Sequence, residues 1–502
     1  MTSQTLRDAR RYEETYEKRI RKEDRPEFHF SSRVGWLNDP NGFSYYEGKY
    51  HLFYQYHPYD PYWGPMHWGH AVSEDLLHWE YLPAALAPDQ PYDRDGCFSG
   101  SAVELPDGRQ LLMYTGVKRI PQKDGGFVDE QTQCLAVGDG VDYEKYEGNP
   151  VLDGKDIPEG CSKADFRDPK MFRNADGTYS MVAVNRAADG SGQILLYKSE
   201  DGFHWDFKSV VKENHHRFGV MWECPDLFKL DGKDVIICSP MDMLPEGFEY
   251  HNGNGTLCLI GTFDEETGTF QEEHHQTVDY GIDFYAPQTI RTPDGRIVLL
   301  GWMQNWDTAR LQLPDTAWFG QMTVPRELSI RNGRLYENPV RELEALRRNR
   351  TEYQDVLVED GVISLDGICG RRVDMELELA PADEQKGYEK FAVRFAQDDV
   401  FHTAVSFRPH ESILKIDRKF SGSRRAAIHQ RRSLVRSENG KLKLRLILDR
   451  FSAEVFVNDG EQVMTITMYT DQSADRISFF ADGAVKMNVV KYDLITDEKQ
   501  FE

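Results

Sequence analysis

The chain has 502 residues, with 84 acidic side chains against 60 basic ones and a formal charge of −24. A field of that sign excludes general binding to nucleic acid or to an anionic membrane surface, since both partners need a cationic face. Aromatic residues at 12% and 40 glycines suit short strands and tight turns, and the length allows two domains that each bury a core.

Residues 1–27 read as an N-terminal arm or helix, charged from Met1 to Ile20 and without the apolar stretch of a leader. No run of 18 apolar residues occurs anywhere. Seven cysteines at scattered positions form no disulfide framework and no Cys-x-x-Cys pair, so reduced thiols and a cytoplasmic location are expected.

From residue 28 a unit recurs: an anchor near Pro or Ser, a turn of the Asp-Gly kind, and an apolar strand about 13 residues after the anchor. The anchors are Asp39, Ser99, Asp168, Glu223 and Tyr285, separated by 60, 69, 55 and 62 residues. Their strands are 50–54, 110–114, 179–183, 234–238 and 296–300. The first and third units also close alike, with Ser73-Glu74-Asp75-Leu76-Leu77-His78-Trp79 matched by Ser199-Glu200-Asp201-Gly202-Phe203-His204-Trp205. Four short strands and their loops fit each interval, which predicts a five-bladed β-propeller over residues 28–337. The innermost strands of such a ring face one axis, so carboxylates at the same point of separate units converge.

Residues 338–350 read as a charged linker. Beyond it, period-two alternation in Met375-Glu376-Leu377-Glu378-Leu379, Leu442-Lys443-Leu444-Arg445-Leu446 and Glu454-Val455-Phe456-Val457 predicts antiparallel half-buried strands, hence a C-terminal β-sandwich over 351–502. The fold class is all-β. The sandwich offers a surface for carbohydrate, for scaffolding or for a homo-oligomeric contact. Arg424, Arg425, Arg431, Arg432 and Arg436 read as a solvated hairpin face, with a phosphate or partner site as the alternative.

Two carboxylates flanking a glycosidic bond cleave it with retention when they lie roughly 5–5.5 Å apart, one attacking the anomeric carbon and the other protonating the leaving oxygen. Asp39 fits the nucleophile: Pro40 biases it to an extended conformation, and Asn38 and Asn41 offer amide donors that hold it charged. Glu223 fits the acid, because Trp222, Cys224 and Pro225 supply low-polarity surroundings that raise a carboxyl pKa. Asp168, beside Arg167, is a third partner. Cys224 reads as packing. His67, His70, His215-His216 and His274-His275 lack a Cys or carboxylate that completes a ligand set, so no metal and no cofactor are expected.

The boxes Asn38-Asp39-Pro40-Asn41-Gly42, Phe98-Ser99-Gly100-Ser101, Phe166-Arg167-Asp168-Pro169 and Glu223-Cys224-Pro225 resemble glycoside hydrolase family 32, the invertases and β-fructosidases. So do Trp63-Gly64-Pro65-Met66-His67-Trp68-Gly69-His70, Asp283-Phe284-Tyr285-Ala286-Pro287-Gln288 and, in the C-terminal domain, Glu454-Val455-Phe456-Val457-Asn458-Asp459-Gly460. The resemblance implies Asp39 as nucleophile, Glu223 as acid/base and Asp168 as a transition-state stabiliser that binds fructose hydroxyls. It further implies a fructose pocket lined by Asn38, Gln55, Trp63, Phe98, Ser99 and Arg167, with Asp283 and Trp302 as additional pocket residues.

The function expected is release of terminal non-reducing β-D-fructofuranosyl units from sucrose and short fructooligosaccharides, through a covalent fructosyl-enzyme intermediate. Sucrose-6-phosphate hydrolysis and fructosyl transfer are the enzymatic alternatives; a non-catalytic fructan-binding protein is the alternative of another class. Phosphate recognition would need Lys or Arg at the pocket rim, where Lys118 and Arg119 sit on a loop without a phosphate motif.

Overall fold

The computed structural model describes residues 2–309, 316–422 and 428–496. Within them, five sheets follow one another along the chain. Blade I comprises Gly35–Tyr46, Lys49–His57, His67–Ser73 and Trp79–Leu86, and blade II Gly96–Glu104, Gln110–Pro121, Phe127–Gly138 and Tyr143–Lys145. Blade III is Phe166–Arg173, Tyr179–Arg186, Gly192–Ser199 and Asp206–Glu213, and blade IV Trp222–Leu230, Lys233–Pro240, Leu257–Asp264 and Thr269–Thr277. Blade V is Tyr285–Arg291, Ile297–Trp302, Arg326–Arg331 and Arg334–Pro339. The ring closes where Trp318–Phe319 pairs in parallel with Gly35 and Trp36 of blade I. Each expected apolar strand is the second strand of its blade, and each anchor lies on the innermost one. The second strands are buried on both faces, since neighbouring blades cover them, and so read as continuous apolar runs.

All five innermost strands lose register with their neighbour at corresponding points, at Asn38-Asp39, Ser99, Asp168-Pro169, Cys224-Pro225 and Ala286-Pro287. The cause is local. Proline cannot donate to a ladder and is confined to edges or bulges, so Pro169, Pro225 and Pro287 inside their breaks, and Pro40 directly after its own, write four of the five into the sequence. Gly100 serves the fifth, where an added Cβ would sit 1.9 Å from the Met113 carbonyl oxygen. Asp168, Cys224 and Ala286 take left-handed backbone, with φ of +59°, +48° and +50°, a conformation that non-glycine residues hold only where surroundings enforce it. Bulges re-aim side chains, and here they do so five times around one axis.

This register corrects the expected equivalence by one residue. Cys224, not Glu223, stands at the level of Asp39, Ser99 and Asp168, while Glu223 stands with Asn38, Phe98, Arg167 and Tyr285. The recurring mark of the unit is the residue that breaks the ladder, not the carboxylate.

The N-terminal arm is a helix, Gln4–Tyr16, capped by Ser3, whose hydroxyl accepts the Leu6 N–H at 3.1 Å. Its buried Glu13 accepts the Ala84 N–H at 2.9 Å and pairs with Arg33, which fastens the helix to blade I. No described helix is long and apolar enough to cross a membrane.

Past blade V, a 3₁₀ turn, Arg341–Leu346, buries Leu343 and Leu346 and runs directly into strand Arg347–Ile363. The C-terminal strands form one ten-stranded sheet among the described residues, folded over on itself as a sandwich. Its hinge is the 19-residue strand Arg476–Leu494, which pairs first with Tyr388–Gln397 and then with Val373–Pro381. Phe391, Val393, Phe407 and Ile416 from one half share a core with Met375, Leu377, Leu446 and Val455 from the other.

The two domains meet through buried charge. Arg326, with no exposed side chain, pairs with Asp279 and Glu337 of the propeller and Glu454 of the sandwich. His29 bridges Asp449 and Glu454 at 2.8 and 2.9 Å. The segment 280–283 adds backbone bonds to the sandwich strand Gln462–Thr467, from Tyr280 N–H to the Val463 carbonyl and from Ile282 N–H to that of Thr465, both 2.8 Å.

Candidate active site

Asp39, Asp168 and Glu223 come from blades I, III and IV and lie at or beside the bulges. Asp39 Oδ1 accepts from Asn38 Nδ2 at 2.8 Å, and Trp36 Nε1 in turn orients Asn38 by donating to its Oδ1 at 2.7 Å. Asp39 Oδ2 accepts from Ser99 Oγ at 2.6 Å and from Cys224 Sγ at 3.6 Å. Among the described residues Asn41 does not bond Asp39, contrary to expectation; Ser99 and Cys224 hold that place from neighbouring blades.

Three of the bulges free a backbone N–H that a neighbouring blade takes up. Cys224 N–H donates to Asp168 Oδ2 at 2.9 Å, Asp168 N–H to Thr115 Oγ1 at 3.0 Å, and Ala286 N–H to Ser239 Oγ at 3.0 Å. Arg167 spans two of the acids: Nη2 lies 3.1 Å from Glu223 Oε1 and Nε 3.8 Å from Asp168 Oδ2. Tyr285 Oη sits 2.8 Å from Glu223 Oε2 and 3.0 Å from the Ser239 carbonyl oxygen.

Glu223 therefore faces a guanidinium and a phenol, not the apolar wall expected of Trp222 and Pro225. Trp222 turns into the blade core, where its Nε1 donates to the Phe218 carbonyl oxygen at 2.9 Å. Cys224 comes forward instead, because the bulge rotates it to the side of Asp39 and Asp168. Burial, then the charges of Asp168 and Asp39, push its thiol well above the usual range, so it stays a neutral donor. Burial and the adjacent Glu223 do the same for the Tyr285 hydroxyl.

Burial pushes Asp39 up to about 6, an increase to which Glu223 adds and which the Ser99, Asn38 and Cys224 bonds oppose. Asp168 is raised as well, by burial first and by Glu223 and Asp39 besides, against the pull of Arg167. The expectation that amide donors hold Asp39 charged meets a stronger opposing effect: desolvation outweighs its donors. Asp39 and Asp168 are 8% and 6% exposed, whereas the Glu223 side chain is 16% exposed, which leaves Glu223 the most open of the three toward solvent.

The walls follow from the loops. Trp63, 39% exposed, meets Phe98 edge-on at 6.0 Å between ring centroids. Gln55 lies opposite the blade I bulge and donates from Nε2 to the Cys97 carbonyl oxygen at 3.1 Å. Asn38, Ser99 and Arg167 thus touch the carboxylates directly, while Gln55, Trp63 and Phe98 bond or pack against residues of blades I and II.

Asp283 and Trp302 are not pocket residues. Asp283 has no exposed surface; its Oδ2 accepts from Thr467 N–H at 2.7 Å, Thr467 Oγ1 at 2.9 Å and Arg418 Nη1, all in the sandwich. Trp302 is fully buried and stands edge-on behind Trp36, 6.0 Å away. Tyr285, Cys224, Thr115 and Ser239 are the participants that sequence reasoning did not assign to the site. Tyr285 carried a signal, since it anchors the fifth unit; Thr115 and Ser239 carried none beyond lying on second strands.

Comparison with known proteins gives the N-terminal domain of glycosyl hydrolases family 32 over residues 29–339 and the C-terminal domain of that family over 342–495. The chain is 35% identical over 465 residues to a sucrose-6-phosphate hydrolase of Escherichia coli, covering 92% of each chain. It is 36% identical to a raffinose invertase of Escherichia coli over 91% of this chain and 92% of that one. A family 32 β-fructofuranosidase of Bombyx mori, solved as a mutant in complex with sucrose, superposes with a TM-score of 0.83 at 35% identity, covering 99% of both chains.

Proposed function

The chain belongs to glycoside hydrolase family 32, and on that premise we propose that it releases terminal β-D-fructofuranosyl units from sucrose and short fructooligosaccharides with retention, using Asp39 as nucleophile and Glu223 as acid/base. The observation that carries this reading is the bonding around three carboxylates at or beside the inner-strand bulges, with Ser99 and Asn38 aimed at Asp39 and Arg167 and Tyr285 at Glu223.

Asp39, fixed by three donors, attacks the anomeric carbon while Glu223 delivers a proton to the glycosidic oxygen. A fructosyl-Asp39 ester results. Loss of the leaving sugar admits water to the exposed side of Glu223, which removes its proton and restores the free enzyme. Asp168 keeps one oxygen on the Cys224 N–H and offers the other to fructose hydroxyls, whose hydrogen bonds strengthen as positive charge develops. Trp63 and Phe98 give the ring an apolar wall.

We favour the unphosphorylated sugar. Lys118 and Arg119 lie on a hairpin that runs beyond the catalytic level, and both are already paired, Lys118 with Glu130 at 2.5 Å and Arg119 with Asp129 at 3.7 Å. A phosphate approaching that rim meets cations matched by carboxylates, so the field gives it no net attraction. Seven unpaired cysteines favour a reducing, cytoplasmic compartment.

Chromatography of fructose released from sucrose, 1-kestose, inulin and sucrose 6-phosphate tests the assignment. The wild type should cleave sucrose or kestose with higher kcat/KM than the phosphate ester. Asp39→Ala and Glu223→Ala should each lower kcat by about three orders of magnitude or more with the thermal midpoint preserved; near-native turnover in either variant would remove that residue from its role.

A further inference from the structure

We propose that the outer face of the C-terminal domain carries a binding site for a small phosphate ester, separate from the site of hydrolysis. Ala392, Ser406, Lys415 and Arg432 are cross-strand neighbours in one row across the strands Tyr388–Gln397, His402–Arg408, Ile413–Phe420 and Gln430–Leu434. The row is small at two adjacent positions and long at the next two, and Lys390 and Arg408 stand two residues away from Ala392 and Ser406 on the same face. Long cationic side chains around short ones leave a hollow, a cleft of about 310 Å³ lined by Lys390, Ser406, Arg408, Lys415 and Arg432, with Glu411 and Ile413 completing its edge.

Ser406 forms the floor. It is 7% exposed, yet its hydroxyl has no hydrogen-bond partner among the described residues and opens into the cleft. Such a group, nine-tenths buried and unpartnered, awaits an acceptor or donor from a ligand.

The charges around it are unbalanced. Lys415 pairs with Asp417 at 2.8 Å, and Arg408 reaches Glu411 only loosely at 3.5 Å. Neither Lys390 nor Arg432 has an ion-pair partner among the described residues. Lys390 and Arg394 both lie over the ring of Phe480, at 5.6 and 5.8 Å, so the fold holds two cations on one aromatic face. Burial, with Lys415, Arg408 and Arg394 nearby, lowers the Lys390 pKa, which an anion in the cleft would reverse. Arg431, the next residue to Arg432, turns to the opposite face and donates to the Asn252 carbonyl oxygen, so it belongs to the domain contact. Arg424 and Arg425, expected on the same cationic hairpin, lie outside the described residues.

On a protein of formal charge −24 this is a local reversal of sign. A hydroxyl, two ammonium groups and two guanidinium groups around a hollow suit a tetrahedral dianion, which accepts from all of them, better than a flat carboxylate. The volume admits more than the anion alone, which points to an ester of phosphate with a small polar group.

Isothermal titration of the full chain with glucose 6-phosphate, inorganic phosphate and glucose, at ionic strength held constant with KCl, tests the site. Saturable binding of one glucose 6-phosphate per chain is expected, with none of glucose. The double variant Lys390→Ala/Arg432→Ala should weaken it at least about tenfold, since each loses a charge-assisted bond, and should hydrolyse sucrose at the wild-type rate. Lys118→Ala/Arg119→Ala, at the propeller rim, should leave the affinity unchanged. Binding of phosphate as tight as that of the ester supports the anion site and confines its contacts to the phosphoryl group. No saturable binding, or equal affinity in the Lys390→Ala/Arg432→Ala variant, overturns the proposal.

Discussion

As the proposed nucleophile, Asp39 has opposed demands placed on it: it must ionise to attack and be desolvated to react. Burial raises it to about 6, so its ionised fraction, and kcat/KM with it, should fall as pH drops through that value. Ser99→Ala removes a donor to the charged form and should move this acid limb to higher pH, besides lowering kcat/KM about tenfold; a pH–rate profile superposable on the wild type contradicts the role given to Ser99. The same shift makes a stability statement. A carboxyl whose folded pKa lies above its unfolded value of about 3.9 favours the fold below that value, and the contribution is lost as pH rises through 6. Asp39→Asn should therefore raise the thermal midpoint at pH 8, by the equivalent of at most about 3 kcal/mol, and leave it unchanged near pH 4. Thermal scans at the two pH values decide it.

Blade inner strands carry the site because five bulges fall at corresponding points. Pro40, Pro169, Pro225 and Pro287 made four of these breaks legible in the sequence, as the period of the apolar strands made the blades legible. The one-residue offset of Glu223 was not read, because carboxylates were aligned where ladder-breaking residues should have been. Asp283 was misplaced for a different reason: its partners Arg418 and Thr467 are 135 and 184 residues away in the other domain, and no local pattern announces such a pairing. That pairing ties the sandwich to the catalytic level, since Asp283 lies two residues before Tyr285, which holds Glu223. Arg418→Met strands a buried carboxylate and should lower stability by about 3–5 kcal/mol. In the fraction that remains folded at low temperature, kcat should fall more than KM changes, because the disturbance reaches Glu223 and leaves the fructose wall intact. Denaturant unfolding and steady-state kinetics measure the two effects; wild-type stability would show the ion pair to be incidental.

Across the whole molecule, docking of the two domains is linked to pH from both sides. Burial alone would lower the His29 pKa, but Asp449 and Glu454 outweigh it and raise the imidazole to about 9. Its contribution is complete below about 6.5 and is lost as pH climbs through 9. Asp449 works the other way: despite burial, His29 and the backbone donors lower it to about 2, so its contribution is complete above about 4 and is lost as pH falls through 2. Thermal stability should thus decline between pH 7 and 9.5, and His29→Leu should flatten that decline.

Retention through a fructosyl-Asp39 ester ties the geometry of the ring to its chemistry, and solvolysis of sucrose in aqueous methanol followed by NMR tests it most directly. Attack of methanol on the ester should yield free glucose and methyl β-D-fructofuranoside, with neither formed by Asp39→Ala. The α anomer would mean a single inverting displacement, and an unchanged sucrose spectrum would mean that the carboxylates of this ring do not cleave that bond at all.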